Sequence, residues 1–363
     1  MGDALASAEP AESSEGEVRL SAEQIVEVEG KRLKLTNLEK VFYPSTGFTK
    51  GQVIDYYARI APVLVPHLAG KPLTLKRYPN GVEAEPFFEK NATKHRPEWI
   101  ETAPIWSEGN KRYVHYILAN DLATLIWVAN LASIELHPSL AKAKDIRCPR
   151  SLVFDLDPGP PANIVQCCQV AVWLRTIFEH FKLESFPKSS GSKGLQVYVP
   201  LNTPTSYEET KPFAHAVARL LENEHRDLVV SEMKKAIRTN RVFVDWSQND
   251  EHKTTVSVYS LRARERPTVS TPVTWDEVER TLKKKDAGLL VFESHRLLER
   301  VEKSGDLFAP LLTLKQKLPK LPGSDAGETR LLRLAASAGT SQGPVKKPSV
   351  SKSARPKTRA RKV

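Results

Sequence analysis

The stretch Ser151–Gly159, SLVFDLDPG, sets two aspartates, Asp155 and Asp157, two apart in an otherwise apolar run. Aspartate is a poor strand residue and is almost never buried without a partner. In a strand, residues two apart share a face, so Leu152, Phe154 and Leu156 take one side and Val153, Asp155 and Asp157 the other. Pro158-Gly159 then ends the strand, which leaves two carboxylates together at a strand end. Two like charges this close raise one pKa unless a cation intervenes, and carboxylate oxygens are natural ligands of a hard divalent ion. Taken alone, D-x-D is equally a capped turn with solvated acids.

A second apolar strand, RVFVDW, carries Asp245 at its end. A third carboxylate from a neighbouring strand would complete a two-metal site of the kind that clamps the attacking and leaving oxygens in phosphoryl transfer. By itself Asp245 is also an ordinary turn cap. The third piece is SSGSKGLQVYVPL, residues 189–201, where small residues lead into a strand. Backbone N–H groups and hydroxyls in such a loop can cradle phosphate, with Lys193 supplying charge, although a surface turn reads the same way. It is not a Walker A loop, because the G-x-x-x-x-G-K-[ST] pattern is absent and a strand follows.

The surrounding pattern is mixed. VEVEGKRLKLTN reads as a hairpin turning at Glu29-Gly30. Thr49 caps a helix through KGQVIDYYARIAPVLVPHL, with Pro62 and Pro66 expected to limit or break it. LTLKRYP, LVFDLD, GLQVYVPL, RVFVDW and TTVSVYSL read as strands. Asp121 caps a helix LATLIWVANLASIEL, and IVQCCQVAVWLRTIFEHF and PFAHAVARLLENEH are further helices. TWDEVERTLKKK begins with a capping box, Thr274 with Glu277. This order predicts an α+β or α/β domain with a mixed β-sheet flanked by helices. The expected boundaries are an acidic disordered lead-in over 1–22, one domain over 23–320 and a disordered tail over 321–363.

The net charge of +11 is concentrated at the end of the chain. SQGPVKKPSVSKSARPKTRARKV holds eight basic residues and no acidic one, leaving 46 basic against 43 acidic elsewhere. Such a tail holds polyanions through counterion release, or simply solubilises. No apolar run reaches transmembrane length, and the N-terminus lacks the basic start and apolar core of a signal peptide. Cys148, Cys167 and Cys168 have no zinc spacing and read as reduced thiols. These features point to a cytoplasmic, nucleoid-associated protein with no membrane partner.

FDLDPG, SSGSKGL, RVFVDW and SLRAR, with LTNLEKVFYPSTGFTKGQVIDYY, LTLKRYPNGV and FFEKN upstream, occur in the order found in the polymerase domain of bacterial DNA ligase D. The chain resembles that family, a branch of the archaeo-eukaryotic primase superfamily serving non-homologous end joining, over about residues 25–315. The resemblance implies a primase-polymerase core and template-directed addition of NTPs or dNTPs to a primer 3′ end, with two Mn²⁺ or Mg²⁺ ions. Asp155, Asp157 and Asp245 match its metal-binding acids. Lys76, His137, Ser190, Lys193, Arg238 and Arg262 match positions around the incoming nucleotide, and cationic partners suit a triphosphate. Lys40 and Lys50 match lysines that bind the 5′-phosphate across a gap, and Phe87 and Phe88 match aromatics that stack on template.

Without the family, the two lysines read as solvated, the phenylalanines as core and His137 as a satisfied core histidine. Gln196 departs from the family, which usually has histidine there; glutamine donates a hydrogen bond but stays neutral, so nucleotide affinity or sugar preference shifts if this position touches phosphate. The ligase motif K-x-D-G is approached only by Lys284-Lys285-Asp286-Ala287, so a stand-alone polymerase is expected. Its expected partners are DNA with a 5′-phosphate gap or end, a Ku-type end-binding protein and a separate ligase. A de novo primase and a catalytically weak DNA-end-binding module are the competing readings.

Overall fold

The computed structural model describes residues 23–319; the expected acidic lead-in and basic tail lie outside the described residues. Chain order is β1 (Gln24–Val28), β2 (Lys31–Leu35), β3 (Val41–Tyr43), β4 (Phe48–Thr49), α1 (Lys50–Leu68), β5 (Leu73–Arg77), β6 (Phe87–Glu89), β7 (Thr102–Ser107), β8 (Arg112–Ile117), α2 (Leu122–Asn130) and β9 (Ser133–Pro138). Then follow β10 (Ser151–Pro158), α3 (Ile164–His180), β11 (Phe186–Ser189), β12 (Leu195–Pro200), α4 (Tyr207–Glu224), β13 (Val229–Val230), β14 (Val242–Asp245), α5 (Trp275–Lys284), α6 (Ser294–Ser304) and α7 (Pro310–Thr313).

Two five-stranded sheets organise the domain. One runs β11-β12-β10-β14-β13, antiparallel except for the parallel β13–β14 edge. The other centres on β5, which pairs with β6, β8 and β9, with β7 beyond β8. The β1–β2 and β3–β4 hairpins are separate two-stranded units. This is the mixed α+β architecture expected.

The local signals that held are those with a short-range cause. β1 and β2 turn at Glu29-Gly30. Thr49 with Gln52 and Thr274 with Glu277 form complete capping boxes, and Asp121 accepts from the Thr124 N–H at 2.7 Å. On β10 the Leu152, Phe154 and Leu156 face is buried, and Phe154 meets Phe178 of α3 at 5.5 Å between ring centroids.

Four expectations are corrected. α1 runs through both Pro62 and Pro66. An interior proline costs a helix about 3 kcal/mol, but Tyr56, Tyr57, Ile60 and Leu64 anchor this one in the core. α4 begins at Tyr207 on a Ser206–Glu209 capping box, five residues upstream of the expected start at Pro212, which lies inside its second turn.

The expected helix through Leu136 stops at Asn130. Ala132 adopts a left-handed φ of 63° and residues 133–138 become β9, paired along β5. A buried sheet position outweighs helical periodicity there.

TTVSVYSL is not a strand. Its backbone is divided between partners: the Ser257 N–H bonds the Leu136 carbonyl of β9, whereas the Tyr259 N–H bonds the Ser270 carbonyl. Tyr259 itself turns at a φ of 63°. The segment straps one sheet to the other and so never forms a continuous ladder.

Candidate active site

β10 and β14 bring two of the three expected acids, Asp155 and Asp245, face to face. Asp155 is the direct antiparallel partner of Asp245 on one side and of Gln196 on the other, and Gln196 pairs in turn with Lys188 of β11. Lys188, Gln196, Asp155 and Asp245 therefore form one row across the sheet. Beyond Asp245 the chain leaves β14, and the Asn249 side chain takes over the pairing, bonding both the N–H and the carbonyl of Val153.

The acids have distinct surroundings. Burial pushes the Asp155 carboxyl up to about 6, and the Asp245 charge adds to the rise, while a hydrogen bond from Gln196 and the charge of Lys188 oppose it. Tyr198 donates to Gln196 Oε1 at 3.4 Å, which leaves the Gln196 amide N–H to face the acid. Asp245 is also the turn cap of the plainer reading: Oδ1 accepts from the Ser247 backbone N–H at 3.0 Å and hydroxyl at 2.6 Å, and Oδ2 from Gln248 Nε2 at 2.7 Å. Asp157 is paired with Lys193 at 3.1 Å and Arg238 at 3.4 Å.

Among the described residues no three Asp, Glu, His or Cys side chains stand grouped as a ready metal cage. Asp155 and Asp245 nonetheless fit a hard divalent ion. They are facing oxygen donors whose repulsion, visible in the raised Asp155 value, such an ion would relieve. Asp157 could join them only by exchanging its cationic partners.

The SSGSKG loop is pinned before it meets any ligand. Ser190 Oγ accepts the N–H groups of Ser192 and Gly194, so its own proton remains to be donated. Gly191 has a φ of +66°, and a Cβ there would stand 2.5 Å from the Val269 carbonyl carbon. Thr268 donates to the Gly191 carbonyl and Arg262 to the Ser190 carbonyl, each at 2.6 Å. At the β10 end, Gly159 lies so close to Arg238 that a Cβ would meet that residue's carbonyl oxygen at 1.9 Å. Arg238 also stacks on Phe243 at 3.7 Å.

Across the seam, the other sheet presents Lys76, His137, Phe87 and Phe88. Lys76 is the cross-strand partner of Phe88 on one side and Glu135 on the other. Its ammonium lies 5.5 Å from the Phe88 ring, and Phe88 packs edge-on to His137 at 6.0 Å. Phe87 and Phe88 are 45% and 61% exposed, which removes core packing as their purpose. Burial lowers the His137 value, so its 2.9 Å contact with Glu135 is a hydrogen bond from a neutral ring. Arg262 joins the two sheets, bonding Glu135 through Nε at 3.1 Å while it holds Ser190.

Lys40 and Lys50 are neighbours, the Lys50 backbone N–H bonding the Lys40 carbonyl at 2.8 Å, but Lys50 is not a solvated lysine. It is 4% exposed, donates to the Thr36 carbonyl at 2.6 Å, and is lowered to about 8 by burial, with Lys40 and Arg77 adding to the fall. Lys40 remains exposed, on Asn80 at 3.2 Å.

Two residues escaped the sequence reading. Glu135, near the end of LATLIWVANLASIEL, is 2% exposed; burial alone would raise its value, but the His137 hydrogen bond and the Arg262 charge hold it far below the carboxylate range. Lys188, just before the SSGSKG loop, is fully buried on Ser270 Oγ at 2.6 Å and the Val256 carbonyl at 3.2 Å, and burial lowers it to about 7. A charged residue two or fewer positions from a motif was the available signal for each.

Comparison with known proteins identifies the family of the chain. Residues 49–308 match the family model described as LigD, primase-polymerase domain. The chain is 43% identical over 283 residues to the multifunctional non-homologous end joining protein LigD of Mycolicibacterium smegmatis, covering 77% of this chain and 36% of that protein. It is 30% identical to the bifunctional non-homologous end joining protein LigD of Bacillus subtilis, over 76% of this chain and 43% of that one. The chain thus spans well under half the length of these relatives. A solved structure, the polymerase domain of Mycobacterium tuberculosis ligase D in complex with DNA, superposes with a TM-score of 0.72 at 37% identity, covering 78% of this chain and 99% of that one. Matched over residues 49–308, and with its facing aspartates on antiparallel strands, this chain belongs to the LigD primase-polymerase domain family.

Proposed function

We propose that this chain is a template-directed nucleotidyltransferase that extends primer 3′ ends at gaps or double-strand-break ends with NTPs or dNTPs. The observation that carries the reading is the facing pair Asp155–Asp245, set beside Lys193 of the SSGSKG loop and Arg238, two cations that already gather on Asp157. Two divalent ions, Mn²⁺ or Mg²⁺, would lower the pKa of the primer hydroxyl and neutralise the departing pyrophosphate. Asp155 and Asp245 would hold them, joined by Asp157 once Lys193 and Arg238 turn to the triphosphate.

Ser190 offers its hydroxyl proton, and Lys193, Arg238, Arg262 and Lys76 offer positive charge, to the phosphates. The primer 3′-oxygen then bonds to the α-phosphorus as the bond to pyrophosphate breaks. His137 borders the nucleotide side of the seam. Phe87 and Phe88 stack on template bases, and Lys40 with Lys50 meets a 5′-phosphate. DNA is the proposed substrate, with a Ku-type end-binding protein and a separate ligase as proposed partners.

Primer extension on a gapped duplex with a downstream 5′-phosphate, comparing dNTPs with NTPs, tests this. Template-matched addition is expected, and Asp155→Ala should abolish it. A second reading, a DNA-end-binding module with weak catalysis, draws on the neutral Gln196 and on the absence of a ready metal cage among the described residues. Gap binding with no addition under either metal would select it and sink the polymerase reading.

A further inference from the structure

Among the described residues Glu135 is the one buried carboxylate on the nucleotide side of the seam, and a neighbour on its own strand and two separate segments close on it. His137 Nε2 reaches Oε2 at 2.9 Å; Arg262 Nε and the Ala263 backbone N–H reach Oε1, each at 3.1 Å. Lys76, its cross-strand partner, adds a second positive charge beside that of Arg262. Arg262 spends a second N–H on the Ser190 carbonyl. One carboxylate therefore fixes the Arg262 guanidinium plane, the His137 ring and, through Arg262, the start of the phosphate loop.

We infer that Glu135 is a positioning residue for nucleotide binding, holding Arg262 and His137 in the orientation that receives the triphosphate. This rests on the polymerase reading above. Glu135 is too enclosed to touch substrate and makes no contact with Asp155, Asp157 or Asp245. Its loss should leave the chemistry at the acids intact and weaken the nucleotide's grip. Without it, Lys76 and Arg262 repel each other across a neutral ring, and Arg262 keeps only its bond to Ser190.

The test compares wild type with Glu135→Gln, which keeps shape and loses charge, and Glu135→Asp, which keeps charge but is one methylene shorter. The nucleotide KM in primer extension should rise about tenfold or more in Glu135→Gln, as expected for losing hydrogen bonds to a charged group, with kcat within about threefold. A merely structural role would lower thermal stability without this split. Independently of turnover, the His137 ring, assigned by comparison with His137→Gln and titrated by NMR, should protonate at lower pH in Glu135→Gln. The groups facing that ring are Glu135, Arg262, Lys76 and Phe88, and only the Glu135 charge favours the imidazolium.

Unchanged KM together with an unchanged His137 titration overturns the inference. If the wild type adds no nucleotide, the polymerase reading fails, and the His137 titration alone decides whether Glu135 orders this cluster. If Glu135→Gln does not fold, Glu135→Asp carries the same KM measurement, with a smaller rise expected and no rise overturning the proposal.

Discussion

Asp155 and Asp245 face each other as directly paired residues of two antiparallel strands, and burial with mutual repulsion lifts Asp155 to about 6. The pair is electrostatically unfavourable as it stands, which makes it useful for binding and costly for folding.

The stability consequence has a definite sign. The ordinary Asp155 value is 3.8 and its folded value is higher, so the folded state binds the proton more tightly. The associated stabilisation is complete below about pH 4 and is lost as pH rises through 6. Asp155→Asn in EDTA should therefore melt several degrees above wild type at pH 8, a gain of about 3 kcal/mol. That gain should shrink steadily between pH 7 and pH 4. Thermal melts across this range check it, and a gain independent of pH would remove the argument.

Gln196 lowers the Asp155 value by donating to it. Gln196→Leu should raise that value further, and the pH at which Mn²⁺ binding is half-maximal should move up by about one unit. Titration of Mn²⁺ by electron paramagnetic resonance at several pH values reads this without turnover. Gln196→His tests sugar choice by comparing NTP with dNTP addition.

Phe88 is exposed, so its truncation removes little packing. Phe88→Ala should leave the melting temperature nearly unchanged, within about 0.5 kcal/mol of stability. Affinity for a gapped duplex should fall about tenfold if a base stacks there. Fluorescence anisotropy separates the two effects, and equal affinity would remove Phe88 from the template surface.

Lys50, lowered to about 8, loses its charge as pH rises through that value. Preference for a gap bearing a 5′-phosphate over one with a 5′-hydroxyl should decline between pH 7 and pH 9. Lys50→Met should abolish most of that preference, about tenfold, and flatten its pH dependence. Competition binding with the two duplexes decides it; a preference that survives the substitution assigns the phosphate to other residues.

The sequence made β10, β12 and β14 legible because their cause is local: alternation fixes the face, and Pro158-Gly159 fixes the end. The cap at Thr49 and the capping box at Thr274 were readable for the same reason. Residues 133–138 and 254–261 were not, because their backbone partners come from β5, β9 and the 268–270 segment, all remote in sequence. Glu135 was hidden in the same way. Its chemistry depends on Arg262, 127 residues away, and no spacing rule connects them. The motifs gave the acids and the loop, but the contacts that join the two sheets had to be seen.

Gly159 was read as a strand terminator, and its contact with Arg238 gives it a second office. The guanidinium reaches Asp157 while its own backbone rests where a methyl group would otherwise stand. The gap between anion and cation is thus gauged by an omitted carbon, a spacer made of nothing. Even alanine at 159 would pry the arginine's segment outward and loosen its hold on the acid. The calibration of this site is written as much in hydrogen atoms as in charged groups.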